Sequence, residues 1–183
     1  MNFCPDCGGR VSLRIPPGDH LPRYVCDGCG TVHYQNPRLV VGCVPELGGR
    51  ILLCKRGIEP RRGYWTVPAG FMENGETLQQ AAARESQEEA LVTVEIESPL
   101  AIVHVLLADQ VHVFFRARLQ EPRFGPGPES LEVELVEPAD IPWSDIAFPS
   151  TEFALRRFLE DRAAGRELLH FADLSRRFLP LAD

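Results

Sequence analysis

Long apolar runs are missing from these 183 residues, and none approaches the length that a membrane-spanning helix needs. The first residues also lack the basic and apolar stretches of a secretory signal, because Cys4 is reached at once. A cytoplasmic location with no membrane partner is the expectation. Positive charge is short as well: 19 Lys and Arg stand against 26 Asp and Glu, a formal net charge of -7. That balance argues against broad, sequence-blind nucleic-acid binding. It leaves room for an anionic substrate, since a bound divalent cation reverses the local field. The remaining composition, 44% hydrophobic and 25% charged, is that of an ordinary globular chain with one main domain and a small appendage.

Six cysteines are present, and they divide into two groups. Cys4 and Cys7 form one CxxC pair, Cys26 and Cys29 another, with 18 residues between. Each pair is followed directly by a glycine, Gly8 and Gly30, where the chain must turn tightly to aim two sulfurs at one point. This spacing fits a zinc ribbon. A disulfide framework is disfavoured without a secretory context, and a redox site calls for one CxxC rather than two matched ones. Four thiolates leave no open coordination position, so the zinc is expected to be structural and to supply much of the unit's folding free energy. His33 follows the second pair as a neighbour of the ribbon, not a fifth ligand. Cys43 and Cys54 lie in apolar runs and read as buried thiols.

The expected units are a ribbon over 1–35, a main α/β domain over 36–165 and a tail over 166–183. Residues 39–44 and 50–55 are β-prone runs joined by Gly48-Gly49, a hairpin signal. Strands are further expected at 64–67, 93–97, 100–107, 111–119 and 131–136. In the clearest of them, Val111, Val113, Phe115, Ala117 and Leu119 share one face. Thr77 and Gln80 form a capping box that opens a helix running to about Ala90, with Leu78, Ala81, Ala82 and Leu91 on its buried side and the glutamates largely elsewhere. Residues 124–129 form a loop. Ser150 caps a last helix carrying Phe153, Phe158 and Leu159, which Gly165 ends. Leu168, Phe171 and Phe178 in the tail are candidates for docking on a partner.

The densest chemistry lies between Gly70 and Glu89. Glu85, Glu88 and Glu89 stand at i, i+3 and i+4 of the first helix, an acidic ridge that repels itself unless a cation sits against it. Magnesium and similar hard cations take such oxygen ligands together with substrate phosphates. A solvated acidic helix face is the bland alternative. It leaves unexplained why Gly70, Glu76 and Arg84 accompany the ridge at fixed spacing.

That segment resembles the signature of the Nudix hydrolases, G-x5-E-x7-R-E-U-x-E-E-x-G-U with U aliphatic. Gly70, Glu76, Arg84, Glu85, Glu88 and Glu89 match it. Ser86 stands where an aliphatic residue is usual, and Leu91 where glycine is usual. The resemblance implies an α/β/α sandwich with a mixed sheet behind the ribbon. It further implies magnesium or manganese on Glu85, Glu88 and Glu89, with Glu76 completing the metal shell and Arg84 orienting the carboxylates. The general base of such enzymes can be a glutamate in a later loop, and Glu129 and Glu132 are the candidates. Together with the ribbon, residues 32–37 and 61–72 are similar to ribbon-bearing Nudix enzymes that split ADP-ribose, FAD or related dinucleotides into a nucleoside monophosphate and a second phosphate ester. The S-Q-P-W-P-F-P run of NADH pyrophosphatases is missing after the signature, which ranks NADH below FAD and ADP-ribose. Candidate contacts to the nucleotide are Arg61, Arg62, Tyr64, His112 and Phe114. A small-molecule nucleotide is the expected partner, nucleic acid is not, and the ribbon is a candidate homodimer element. The alternatives are a catalytically idle sensor whose ribbon touches nucleic acid, and a hydrolase of nucleotide-capped RNA ends.

Overall fold

The computed structural model describes residues 1–175, which divide into a compact unit over Met1–Pro37 and a second beginning at Arg38. In the first unit, β1 (Val11–Arg14), β2 (Arg23–Cys26) and β3 (Val32–His33) form an antiparallel three-stranded sheet. Two matched turns hang from it. Gly8 N–H donates to Cys4 O at 2.9 Å and Gly30 N–H to Cys26 O at 3.0 Å, and both glycines take the positive φ that the near-repeat requires.

The second unit is built on one mixed sheet. Its strands are β4 (Arg38–Leu47), β5 (Arg50–Arg56), β6 (Trp65–Thr66), β7 (Ala69–Phe71), β8 (Val94–Val105), β9 (Gln110–Leu119), β10 (Ser130–Val136) and β11 (His170–Leu174). Along the main path the order is β10-β5-β4-β9-β8-β11, with β6 beside β5 and β7 beside β4. β4 runs parallel to β9 and β11 parallel to β8, and the remaining pairs are antiparallel. The hairpin turns at Gly48 and Gly49, both at positive φ as a two-residue loop demands. Beyond Glu46 the two strands part, and β7 fills the place beside Val40–Gly42. Gly42 makes this close approach possible, because a Cβ there would sit 2.4 Å from Pro68 O.

Helix α1 (Leu78–Ala90) covers one face and α2 (Pro149–Ala163) the other, so the sheet is buried on both sides. Val113, Phe115, Ala117 and Leu119 of β9 join the α1 core as their alternation requires. Phe114, the residue between them, lies in the α2 core with Leu53, Val103 and Phe158.

Several expectations need correction. Residues 93–97 and 100–107 are one strand, β8, whose register with β9 shifts around Pro99, a residue that offers no N–H to the ladder. Ser150 is not a cap: Phe148 precedes the helix, Pro149 occupies its first turn without needing a partner for a missing N–H, and Ser150 is buried. Residues 170–174, expected to be tail-like, add β11 to the sheet, with Ala172 and Leu174 packed on the α2 core and Phe171 exposed. A polar latch holds the strand: buried Asp161 accepts from Arg116, from Leu168 N–H at 3.1 Å and from His170 Nε2 at 2.9 Å. Phe178 lies outside the described residues. Among the described residues no helix is long and apolar enough to cross a membrane.

Candidate active site

The capping box starts α1 as its residues require. Gln80 N–H donates to Thr77 Oγ1 at 3.2 Å, and Thr77 N–H to Gln80 Oε1 at 2.8 Å. From that start the buried stripe runs Ala81, Ala82, Glu85, Ser86, Glu89, Ala90. Two of the three glutamates therefore lie on the inner side of the helix, contrary to their expected placement, because Glu85 and Glu89 continue the i+4 spacing of Ala81. Leu91 is half-exposed instead.

Burial decides the electrostatics. It pushes the Glu85 carboxyl above its ordinary range, with repulsion from Glu88 and Glu129 adding to it and Arg84 opposing. Burial likewise drives Glu89 up to about 8, although Ala69 N–H donates to it at 3.1 Å and Arg56 attracts it. Glu85 and Glu129 repel its charge further. Buried carboxylates whose ionisation is opposed in this way are candidates to hold a cation or a proton.

Arg84 organises the remainder. It donates to Glu76 at 2.8 and 3.0 Å, to Glu85 at 2.7 Å, to Glu88 at 3.1 Å and to the carbonyl of Phe71 at 3.0 Å. Gly70 explains itself here: a Cβ at that position would fall 2.3 Å from Glu85 Oε1. The strand passes over the carboxylate only because its side is bare. Glu76, expected to complete a metal shell, instead spends both oxygens on Arg84 and accepts from Glu73 N–H at 2.6 Å, which holds its carboxyl down at about 2. It ties the loop to the helix.

The loop after β9 brings in a fourth carboxylate. Gly125 N–H donates to Ala90 O at 2.9 Å and Gly127 N–H to Glu89 O at 3.1 Å, docking the loop on the end of α1. Gly127 approaches so closely that a Cβ would overlap Glu88 O. Glu129 follows, near enough to raise both Glu85 and Glu89. Glu132 does not share that position. It lies on β10 and pairs with Lys55 at 3.1 Å, which pulls its carboxyl down.

Of the residues expected to meet a nucleotide, most are engaged elsewhere. Arg61 donates through Nε to Ala147 O at 3.0 Å and stacks on Tyr64 at 4.1 Å, so the pair fastens two loops together. Phe114 is 1% exposed in the α2 core and offers a ligand no surface. His112 is 8% exposed and bonds Gln110 at 2.9 Å on the same side of the strand, with burial lowering its imidazole to about 4. Arg62 alone among them is exposed. Arg56, on β5, escaped the sequence reading; its one signal was a cation at the end of an apolar strand. The Ala69 N–H and Phe71 carbonyl escaped too, since main-chain groups carry no sequence signature.

The oxygen donors of Glu85, Glu88 and Glu89 suit a hard divalent cation, whose charge would offset the burial of Glu85 and Glu89 and the repulsion that Glu88 and Glu129 add. Arg84 stands between Glu85 and Glu88 and spaces their oxygens apart. Among the described residues, ligand atoms gather within 4.8 Å of one another only in the ribbon. There the four sulfurs of Cys4, Cys7, Cys26 and Cys29 converge, with Cys4 3.8 Å from Cys29 and Cys7 3.4 Å from Cys26. Zinc bonds of about 2.3 Å in a tetrahedron set sulfur–sulfur edges near 3.8 Å, so the cluster fits that ion.

Two family descriptions match this architecture. "Nudix N-terminal", a zinc ribbon, covers residues 2–35, and "NUDIX domain" covers residues 36–161. The chain belongs to the Nudix hydrolase family. A crystal structure of a NUDIX hydrolase from Nitrosomonas europaea superposes with a TM-score of 0.92 at 53% identity, over 94% of this chain and 98% of that one. An NAD-capped RNA hydrolase NudC of Vibrio atlanticus is 40% identical over 51% of this chain and 33% of its own length. An ADP-ribose pyrophosphatase of Methanocaldococcus jannaschii is 36% identical over 52% of this chain and 52% of its own length. The chain thus spans between a third and about a half of these curated relatives.

Proposed function

We propose that the protein hydrolyses the diphosphate linkage of a nucleoside diphosphate derivative, with ADP-ribose and FAD as the first candidates and NADH behind them. One observation carries the reading: Glu85 and Glu89 are buried side by side, with Glu129 set against both. Glu85, Glu88 and Glu89 would hold magnesium or manganese. When bound, such a cation stabilises charge developing on phosphoryl oxygen and acidifies a coordinated water.

The chain's own residues do the positioning. Gly70 lets β7 pass over Glu85, and Arg84 fixes three carboxylates and the loop in one arrangement. Glu129 is the general base of this proposal, since Glu132 is occupied by Lys55. Its carboxylate takes the proton of the attacking water, and the nucleoside monophosphate leaves with a second phosphate ester.

A second reading, hydrolysis of nucleotide-capped RNA, is favoured by the likeness to proteins named NAD-capped RNA hydrolase. The same assay addresses both. Purified protein is incubated with magnesium and ADP-ribose, FAD, NADH, CoA or NAD-capped RNA, and released AMP, its 3′-phosphorylated analogue or uncapped RNA is followed. Turnover of ADP-ribose or FAD ahead of capped RNA supports the first reading, and the reverse order the second. Tight binding of one compound without turnover of any would sink both in favour of a nucleotide sensor.

A further inference from the structure

A zinc ion held by four thiolates carries two excess negative charges, and each thiolate sulfur retains lone pairs that accept hydrogen bonds. In this ribbon every sulfur has a donor, and the donors differ in kind. Cys7 is served by the main-chain N–H of Gly9, and Cys26 by Cys29 N–H at 3.4 Å. Cys29 has the main-chain N–H of Thr31 and, 3.1 Å away, its hydroxyl as well, and Cys4 lies 3.3 Å from Nε2 of His33. A metal-bound thiolate has no proton to give, so the hydroxyl and the imidazole are the donors, and His33 must carry its proton on Nε2.

The difference follows from the two near-repeats. Gly9 and Thr31 occupy matching places, each accepting the N–H of its first cysteine: Cys4 to Gly9 O at 2.8 Å, and Cys26 to Thr31 O at 2.9 Å. A side chain at Gly9 would be crowded, because its Cβ would stand 3.1 Å from Cys26 Sγ and 3.3 Å from Cys7 Sγ. With glycine in the first repeat and threonine in the second, only the second places a hydroxyl on its own cysteine. His33 reaches across from β3 to the first repeat, where Cys4 is 2% exposed and cut off from water that would otherwise donate to it.

We propose that His33 and Thr31 are positioning residues of the ribbon, each fixing one thiolate by a side-chain hydrogen bond and so setting how tightly zinc is held. This inference concerns the ribbon alone and is independent of the proposed hydrolysis. Outer-sphere partners of this kind typically change metal affinity about 10- to 100-fold when removed.

The test uses the full chain. Zinc content per chain is measured first, and then the rate at which a chromogenic chelator strips the zinc. The expected result is one zinc per chain, with release accelerated about tenfold or more in His33→Phe and in Thr31→Val. Thr31→Ser, which keeps the hydroxyl, is expected to release zinc at the unsubstituted rate, and His33→Gln, which keeps an N–H donor, to fall between. Release from His33→Phe and Thr31→Val at the unsubstituted rate overturns the proposal. So does equal acceleration in Thr31→Ser and Thr31→Val, which would assign the effect to packing. A metal content above one equivalent that drops in Asp6→Asn also overturns it, because Cys4, Asp6 and His33 would then be ligands of a second ion. A chain that carries no zinc would instead refute the ribbon assignment itself.

Discussion

Leu91 ends α1 at φ 55 and ψ 36, the left-handed conformation that glycine takes without cost and leucine does not. Its N–H closes the helix on the carbonyls of Gln87 and Ser86 whatever the side chain, so the backbone of the motif is kept at the expense of strain. Leu91→Gly is expected to stabilise the protein by about 0.5–1 kcal/mol in chemical denaturation, net of the entropy glycine adds to the unfolded chain. The other departure from the signature is explained by its surroundings. Ser86 is fully buried, donates to Ala82 O at 2.8 Å and meets Cys43 Sγ at 3.2 Å, so its hydroxyl is satisfied inside the core. His112 carries a pH dependence. Its folded value of about 4 lies below the ordinary 6.5, so the unfolded chain binds the proton first as pH falls. Stability from the neutral imidazole is complete above about pH 6.5 and is lost as pH drops toward 4, by at most roughly 3 kcal/mol. Buried Glu89, raised to about 8, acts in the opposite sense over the same window, so the histidine is read by difference in denaturation midpoints. The unsubstituted protein is expected to lose more stability, or gain less, than His112→Gln as pH falls from about 6.5 to about 4.

At the scale of elements, local signals were legible and long-range ones were not. The capping box of α1, the Gly48-Gly49 hairpin and the matched ribbon turns each depend on residues a few positions apart, and each is found where its residues predict. Phe114 was misread because an alternating strand suggests one wet face, whereas β9 sits centrally in a sheet covered by helices on both sides. β11 was missed for a related reason. Five residues pairing in parallel with a strand some 70 positions earlier leave no pattern of their own, and the Asp161 latch that holds them joins three separate elements. Removing the latch is therefore expected to cost far more than a surface pair. Asp161→Ala leaves the buried guanidinium of Arg116 without its carboxylate, at about 3–5 kcal/mol. Hydrogen exchange would report fast exchange of the 170–174 amides first; unchanged protection there would contradict the latch. Among the site elements, the loop carrying Glu129 was legible as a loop, but only its docking on α1 separates Glu129 from Glu132. Glu129→Gln is accordingly expected to lower turnover about 100-fold or more, and Glu132→Gln to leave it within a few-fold.

For the whole molecule, two compact units carry two kinds of candidate metal ligand, the sulfurs of the first and the carboxylates of α1 in the second. The ribbon has a three-stranded sheet and few buried apolar residues, so its fold depends on the sulfur cluster. The larger unit has a core on each face of its sheet, and its folding is expected to be independent of metal. Chelation of zinc is expected to release protection from the ribbon amides while the β4–β9 amides stay protected, as hydrogen exchange can read. If the ribbon is also the homodimer element proposed from the sequence, gel filtration of the stripped protein will show a smaller species. The proposed hydrolysis depends on the acidic helix of the larger unit, where Glu88 is the most exposed of the three glutamates and the one whose replacement least disturbs packing. The direct measurement is magnesium-dependent release of AMP from ADP-ribose and FAD by the unsubstituted chain and by Glu88→Gln, with thermal unfolding of both as a control. The expected result is turnover that requires the divalent ion and falls at least about 100-fold in a variant with an unchanged melting profile. Undiminished turnover by Glu88→Gln, or equal turnover without any divalent ion, would contradict it.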